Sequence, residues 1–315
     1  MLSFYIALTA LTGQVRQDEL GTVAAALQTQ VTRDFLPEWG VSAIVVATAF
    51  DAMPVGCVPI IVRDNLNDTA ACGYHRTRDD DTPYILVAYG PNWPLAASHM
   101  LLRMLANPSG SARHPGPSPM AGQATVEYLR DVCSPCQDIA SSYSIDGVGV
   151  SDFCNRGFFT GGTAGSFSGS IRRPLEPVAN GVVTWVSDDR LLYQARADAC
   201  GAIRTHGGFS AAGRGRMLLG EAVDALTPDR LHLLSEAPLT DDQLAARQNA
   251  NRAHLANMAR FGEDIAWRFG TSPADTDVIE PVRPRRRLAP SARLVQVEPA
   301  ICGVGDSAAT TRDPY

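Results

Sequence analysis

The stretch that decides the fold reads SHMLLRMLANP from Ser98 to Pro108. Leucines at positions 95, 101, 102 and 105 follow helical spacing, and Pro94 is typical of the first turn of a helix. His99 and Arg103 are one turn apart on such a helix, so they share a face. An imidazole can bind a metal ion, whereas a guanidinium has no lone pair to offer one. The helix therefore has the spacing of a metal-binding motif without its full set of ligands.

The elements before this helix follow a simple order. Apolar, β-branched runs predict strands at residues 2–10, 41–50, 57–64 and 83–90. Helical spacing predicts a helix at residues 15–36, between the first two of these strands. The order is therefore a strand, a helix, several strands, and then the helix that contains His99.

The elements after the helix predict a β-rich middle part. The alternating prolines of residues 114–119 predict a loop, because they exclude both a helix and a central strand. Short strands are predicted at residues 181–187 and 190–197, with a hairpin turn between them. The fold class predicted for the whole is α+β.

Three segments resemble a group of bacterial zincin-like proteins related to metallopeptidases. The family pattern is roughly S-H-E-L-x-E-M-L-x-D-P, followed by E-V-x-D-P and then V-S-x-F. The matching segments here begin at Ser98, Asp131 and Val150. The resemblance covers about residues 1–220, and it implies a zincin-like mixed sheet with an active-site-type helix.

The departures from the family pattern fall on the positions with chemical roles. An active helix reads H-E-x-x-H or H-E-x-x-E, where the first and fifth residues bind zinc and the Glu activates water. Here Met100 replaces that Glu, Arg103 replaces the second ligand, and Asn107 replaces an Asp. In the second segment Asp131 replaces a Glu and Ser134 replaces an Asp. Positions that pack are retained, so the motif is degenerate in its chemistry alone.

The resemblance implies a catalytically inactive pseudo-metallopeptidase without a cofactor, which keeps the fold as a binding or assembly module. The alternative is an active metal-dependent hydrolase or peptidase with relocated zinc ligands. Three such ligands would be drawn from His99, Asp131, either Glu127 or Asp152, and Cys133. The alternative lacks a general base directly after His99, so we prefer the first hypothesis.

Arg103 has a specific predicted role under the first hypothesis. Its guanidinium is expected to occupy the vacated metal position and to pair with Asp131 or Asp152. The buried guanidinium cation would then replace the metal cation.

Composition restricts the remaining classes of function. The chain has 315 residues and a net charge of −6, which does not point to nucleic acid as a partner. All 27 basic residues are Arg, so lysine nucleophiles and lysine Schiff bases are excluded. The apolar run at residues 1–11 has no basic residue before it and is too short to span a membrane, so we interpret it as a strand. We expect a cytoplasmic protein with no membrane partner, or one exported by a route that the sequence does not reveal.

Seven cysteines are present, and only one cluster has motif spacing. Cys133 and Cys136 form a Cys-x-x-Cys pair, and Cys154 follows them. They are candidates for a structural zinc site or a redox pair, although reduced, partly buried thiols are the preferred interpretation. His75 and His206 have no neighbours at ligand spacing.

The C-terminal part is predicted to be helical and then extended. Thr240 and Gln243 have the spacing of a capping box, and the helix they open runs to about Phe269 within a helical segment 221–270. Residues 271–315 are rich in Pro and Arg and predict an extended tail. Contact with a partner protein or self-assembly is expected through the 240–269 helix and the 271–315 tail. The alternatives are a helix that packs back on its own domain and a solvated tail.

Overall fold

The computed structural model describes residues 2–210, apart from residues 67–70, 79, 81, 161–164, 172, 189 and 199. These residues belong to the first of two units of the chain, Met1–Ile279, and the second unit is Glu280–Tyr315. The predicted helix 240–269, the tail 271–315, the boundaries near residues 220 and 270, and Cys302 lie outside the described residues.

The first sheet is mostly parallel. Its five strands are β1 (Leu2–Ala10), β2 (Val41–Ala47), β3 (Val58–Arg63), β4 (Gly73–Thr77) and β5 (Pro83–Ala88). Their order across the sheet is β2-β1-β3-β5-β4, and β4 alone of these strands runs antiparallel to its neighbour. The apolar, β-branched composition of β1, β3 and β5 suits strands that are covered by helices.

Two helical segments pack against this sheet. The first comprises α1 (Gln17–Thr29), a π-helical turn (Gln30–Phe35) and α2 (Leu36–Trp39), and it ends at Gly40, whose φ of 68° suits glycine. The second is α3 (Trp93–Ala106), with Pro94 in its first turn. Alternate residues of the strands, such as Ile6, Leu8, Ile60 and Val62, share one buried core with both segments.

The second sheet is antiparallel. Its strands are β6 (Arg113–Pro117), β7 (Thr125–Leu129), β10 (Val182–Val186), β11 (Leu191–Ala197) and β12 (Ile203–Ser210), in the order β12-β11-β10-β7-β6. A small hairpin, β8 (Tyr143–Ile145) with β9 (Val148–Val150), and the short helix α4 (Arg156–Thr160) lie between β7 and β10 in the chain. Short 3-10 turns are Phe50–Ala52, Ser134–Cys136 and Ile139–Ser141.

The sequence predicted the coarse architecture correctly. The fold is α+β, and the predicted hairpin near residues 181–197 is confirmed by the antiparallel pairing of β10 with β11. The strand predicted at residues 41–50 ends earlier, because a 3-10 turn follows it at Phe50–Ala52. Within the described part of the chain, no helix is both long and apolar enough to cross a membrane.

The loop predicted at residues 114–119 was wrong in its first part, because Arg113–Pro117 forms β6 at the edge of the second sheet. Just before and just after β6, the residues that bond to the β7 side of the sheet are even-numbered. The carbonyl oxygen of Ala112 accepts from the amide of Arg130, and the amide of Ser118 donates to the carbonyl oxygen of Ala124. Pro115 and Pro117 are odd-numbered, so their nitrogens face the open side, where no donor is needed.

Candidate functional site

The face of α3 that contains His99 and Arg103 lies inside the protein. Ser98, His99 and Met100 are fully buried, and Arg103 is nearly so. The Met100 side chain packs against β4, since a methyl group built on Gly73 would lie only 2.9 Å from its Cγ. Met100 therefore fills the space between α3 and β4.

Arg103 forms the predicted ion pair with Asp131. Its Nε lies 3.1 Å from Oδ2 of Asp131, and the two side chains are only 7% and 10% exposed. The Asp131 carboxylate also accepts hydrogen bonds from the amides of Cys133 and Ser134 and from the Ser134 hydroxyl at 2.6 Å. Both of its oxygens are thus engaged, and the carboxylate is held in place by the 3-10 turn that follows it.

Asp152, the other partner proposed for Arg103, is engaged with a different segment. It accepts hydrogen bonds from the amide of Ser168 at 2.8 Å, from the Ser168 hydroxyl at 2.6 Å and from the Ser170 hydroxyl at 2.7 Å. Its role in the fold is to hold the loop after α4 against the end of β9.

Ser98, on α3, belongs to a buried polar network that reaches the π-helical turn and the segment after β9. Its hydroxyl donates to Oε1 of Gln30 at 2.7 Å and accepts from the amide of Ser151 at 2.8 Å. The Gln30 amide nitrogen in turn donates to the carbonyl oxygen of Ser151 at 2.9 Å. Because these groups satisfy one another, the network fixes the π-helical turn, α3 and the end of β9 together.

Sequence reasoning missed Gln30. The only available signal was a polar residue inside a helical pattern, and its partners lie far away in the chain. Gln30 begins a π-helical turn, and such turns are often found at functional sites.

His99 lies beside the same network. Its Nδ1 is 3.4 Å from the hydroxyl oxygen of Ser151. The imidazole is fully buried between α3 and the segment after β9. The candidate ligand is therefore part of the core.

The residues just after α3 hold its C-terminal end. Oδ1 of Asn107 accepts from the amide of Ala112 at 2.9 Å, which closes the turn that follows. Nε2 of His75, on β4, is 3.1 Å from the carbonyl oxygen of Pro108. Burial, followed by the nearby charge of Arg103, lowers the pKa of His75 to about 3, although the bond to Pro108 acts in the opposite direction. His75 is thus a neutral histidine close to the ion pair.

His206, the second isolated histidine, lies on β12 in the other sheet. Its pKa is lowered, first by desolvation and then by Arg196 and Arg204.

The three candidate cysteines lie close together in the core. Cys154 donates its amide hydrogen to the carbonyl oxygen of Val132 at 2.7 Å, and Sγ of Cys136 is 3.8 Å from the same oxygen. Burial is the main cause that raises the pKa of Cys133, Cys136 and Cys154. All three are free and buried, so they resemble inert structural thiols more than reactive ones.

Among the residues that the structure describes, no group of three or more His, Cys, Asp or Glu side chains is placed to hold a metal ion. Comparisons with protein-family models, with characterised proteins and with solved structures found no match. The geometry of the site is therefore the basis for proposing its function.

A double-mutant cycle tests the energetic coupling of Arg103 and Asp131. Asp131→Ala should lower the free energy of unfolding by roughly 3–5 kcal/mol, because it leaves a buried guanidinium without its counter-ion. Arg103→Leu should cost less, since the carboxylate keeps its amide and hydroxyl donors. The double variant should lose less than the sum of the two, by at least about 1 kcal/mol, in urea unfolding at neutral pH.

A matched control is the surface pair Arg16–Asp18, whose side chains are 78% and 66% exposed. The same cycle there should give a far smaller coupling, because water screens the charges. Equal couplings at the two pairs would contradict the buried role of Arg103.

The pKa of His75 predicts a pH dependence of stability. Below pH 6.5 the unfolded chain binds a proton at His75, whereas the folded chain does not bind it until about pH 3. Acidification through this window should therefore favour unfolding, by up to about 1.4 kcal/mol for each pH unit. His75→Gln removes this contribution, so its stability should fall less steeply in urea unfolding between pH 7 and pH 4. Parallel pH profiles for wild type and variant would show that His75 does not titrate in this way.

Proposed function

We propose that this protein is a non-catalytic, zincin-like binding or assembly module, in which an ion pair stands where active relatives hold zinc. The observation that carries the proposal is the buried contact between Arg103 and Asp131. Arg103 is at the position of the second metal ligand in the resembling motif, one turn after His99. A guanidinium at this position places a fixed positive charge inside the protein without any metal.

The arrangement of the three resembling segments supports the proposal. The helix segment contacts the second segment through Arg103 and Asp131, and it contacts the third through Ser98 and Ser151. These segments are far apart in the chain, yet their motif residues meet. The order of elements before α3 also agrees with the order that the resemblance implies.

The residues present do not fit a zinc ion at this position. Arg103 would repel a cation, and the oxygens of Asp131 are already engaged by Arg103 and by donors of the following turn. Met100 offers no base for water activation, and it is fully buried against β4. We therefore derive no catalytic step through a metal.

No observation favours the alternative of an active hydrolase with relocated ligands. Of its candidate ligands, Asp152 is engaged by Ser168 and Ser170, and Glu127 points to solvent from β7. His99 is enclosed in the core, whereas a hydrolytic centre must admit substrate and water.

The proposed binding function places its contacts outside this core. We propose that the helix predicted at residues 240–269 and the tail at residues 271–315 provide contacts to a partner protein or to a second copy. An apolar stripe along such a long helix, together with the basic run at residues 283–287 of the tail, would supply both burial and charge for a contact.

Restoring the missing carboxylates tests the zincin-like interpretation. The variant Met100→Glu with Arg103→Glu replaces the thioether and the guanidinium by the residues of the H-E-x-x-E motif. Without metal, the carboxylate introduced by Arg103→Glu would face Asp131 and destabilise the fold. Zinc should reverse this, and at 100 times its dissociation constant it should stabilise the variant by about 2.7 kcal/mol.

The readout is thermal unfolding with and without zinc. The control is the same double variant with His99→Ala added. Zinc should stabilise the variant and have no specific effect on wild type or on the control. A folded variant that does not respond to zinc would refute the zincin-like interpretation of this helix. Peptide hydrolysis by wild type that a chelator abolishes would instead favour the active alternative.

A further inference from the structure

The outer strand β2 lacks the usual protection of a sheet edge. It lies at one end of the first sheet and reads VSAIVVA, with neither a charged residue nor a proline. Exposed edges are commonly protected against pairing with other chains by charges or prolines. The edge strand β6 of the second sheet has Pro115 and Pro117, and the other edge strand of the first sheet, β4, has Arg76. β2 therefore requires another means of protection.

Gln28, from the end of α1, provides such a contact. Its Nε2 donates to the carbonyl oxygen of Ala43 at 3.1 Å, and its Oε1 accepts from the amide of Val45 at 2.7 Å. Even-numbered residues of this region face β1, as the bond from the amide of Thr48 to the carbonyl oxygen of Leu8 indicates. Ala43 and Val45 therefore direct their backbone groups away from β1, towards the side where no strand of the described residues pairs with β2.

The contact reproduces the hydrogen bonds of a neighbouring strand. In a parallel pair of strands, each bonded residue lies opposite one residue of its neighbour. Its amide donates to the carbonyl oxygen of the residue before that one, and its carbonyl oxygen accepts from the amide of the residue after it. The side-chain carboxamide of Gln28 makes both of these bonds, one to the residue before Ile44 and one to the residue after it. One side chain thus occupies the place of one residue of an added strand.

An apolar patch lies beside the same edge. Ile44 is 54% exposed and Tyr5 is 40% exposed, and the two are directly opposite each other in the pairing of β2 with β1. Ala43 and Val45, in contrast, are buried on the other face of the sheet. A strand added to this edge would therefore cover apolar surface as well as backbone groups.

We propose that the edge of β2 is a strand-pairing surface for the β2 of a second copy of this chain, and that Gln28 keeps it closed. The second copy is favoured because β2 has no charge to repel itself when two copies pair about a two-fold axis. Such a two-fold pair is antiparallel, unlike the strand whose bonds Gln28 reproduces, but it uses the same outward-facing backbone groups of Ala43 and Val45. In this pair the Ile44 side chains of the two copies lie on the same face. The proposal is independent of the zincin-like interpretation of α3.

The test is Gln28→Ala in the full chain, with self-association measured by sedimentation velocity over a range of concentrations. The variant should dimerise at a concentration at least about tenfold lower than wild type, a shift equivalent to 1.4 kcal/mol. Gln17→Ala, an exposed glutamine of the same helix, is the matched control and should behave as wild type. Gln28→Ser, which is also too short to reach the edge, should give the same result as Gln28→Ala.

A second substitution identifies the surface. Ile44→Lys in the Gln28→Ala background places a charge beside the edge and should return the association to the wild-type level. Unchanged association of folded Gln28→Ala and Gln28→Ser would overturn the proposal. Association that Ile44→Lys does not reverse would also overturn it, because the contact would then lie elsewhere.

Discussion

The ion pair between Arg103 and Asp131 is the interaction on which the account of this protein depends. A guanidinium this deeply buried requires a counter-ion, and Asp131 can act as one because the amides and hydroxyl of the next turn hold it in position. Replacing such a pair with apolar residues is often neutral or stabilising, so stability alone does not explain it. In the zincin-like function that we propose, the Arg103 guanidinium supplies the positive charge that a metal ion would supply in an active enzyme.

The rest of the interior is organised around the same helix. The network of Ser98, Gln30 and Ser151 fixes the helix to the π-helical turn and to the end of β9, while Met100 closes the gap to β4. His99 is fully buried beside these contacts. This buried arrangement suits the scaffold that we propose, whose contacts would lie at its surface.

The sequence predicted those features that depend on local pattern or on simple charge logic. The first strand and α3 were located from their apolar runs, and Asp131 was one of the two partners expected for Arg103, the other being Asp152. The roles of Gln28 and Gln30 were missed, since their partners are separated from them by 15 and 68 residues in the chain. β6 was missed because proline excludes pairing on one side of a strand only, and sequence alone does not distinguish an edge strand from a loop.

The metal content of the wild-type protein tests the central claim most directly. Elemental analysis should use protein purified without chelator and without an affinity tag of histidines, followed by thermal unfolding with and without a chelator. The ion-pair account predicts near-zero zinc, manganese and iron, and a melting temperature that the chelator does not change. One equivalent of metal that a chelator removes, together with a lower melting temperature, would contradict it.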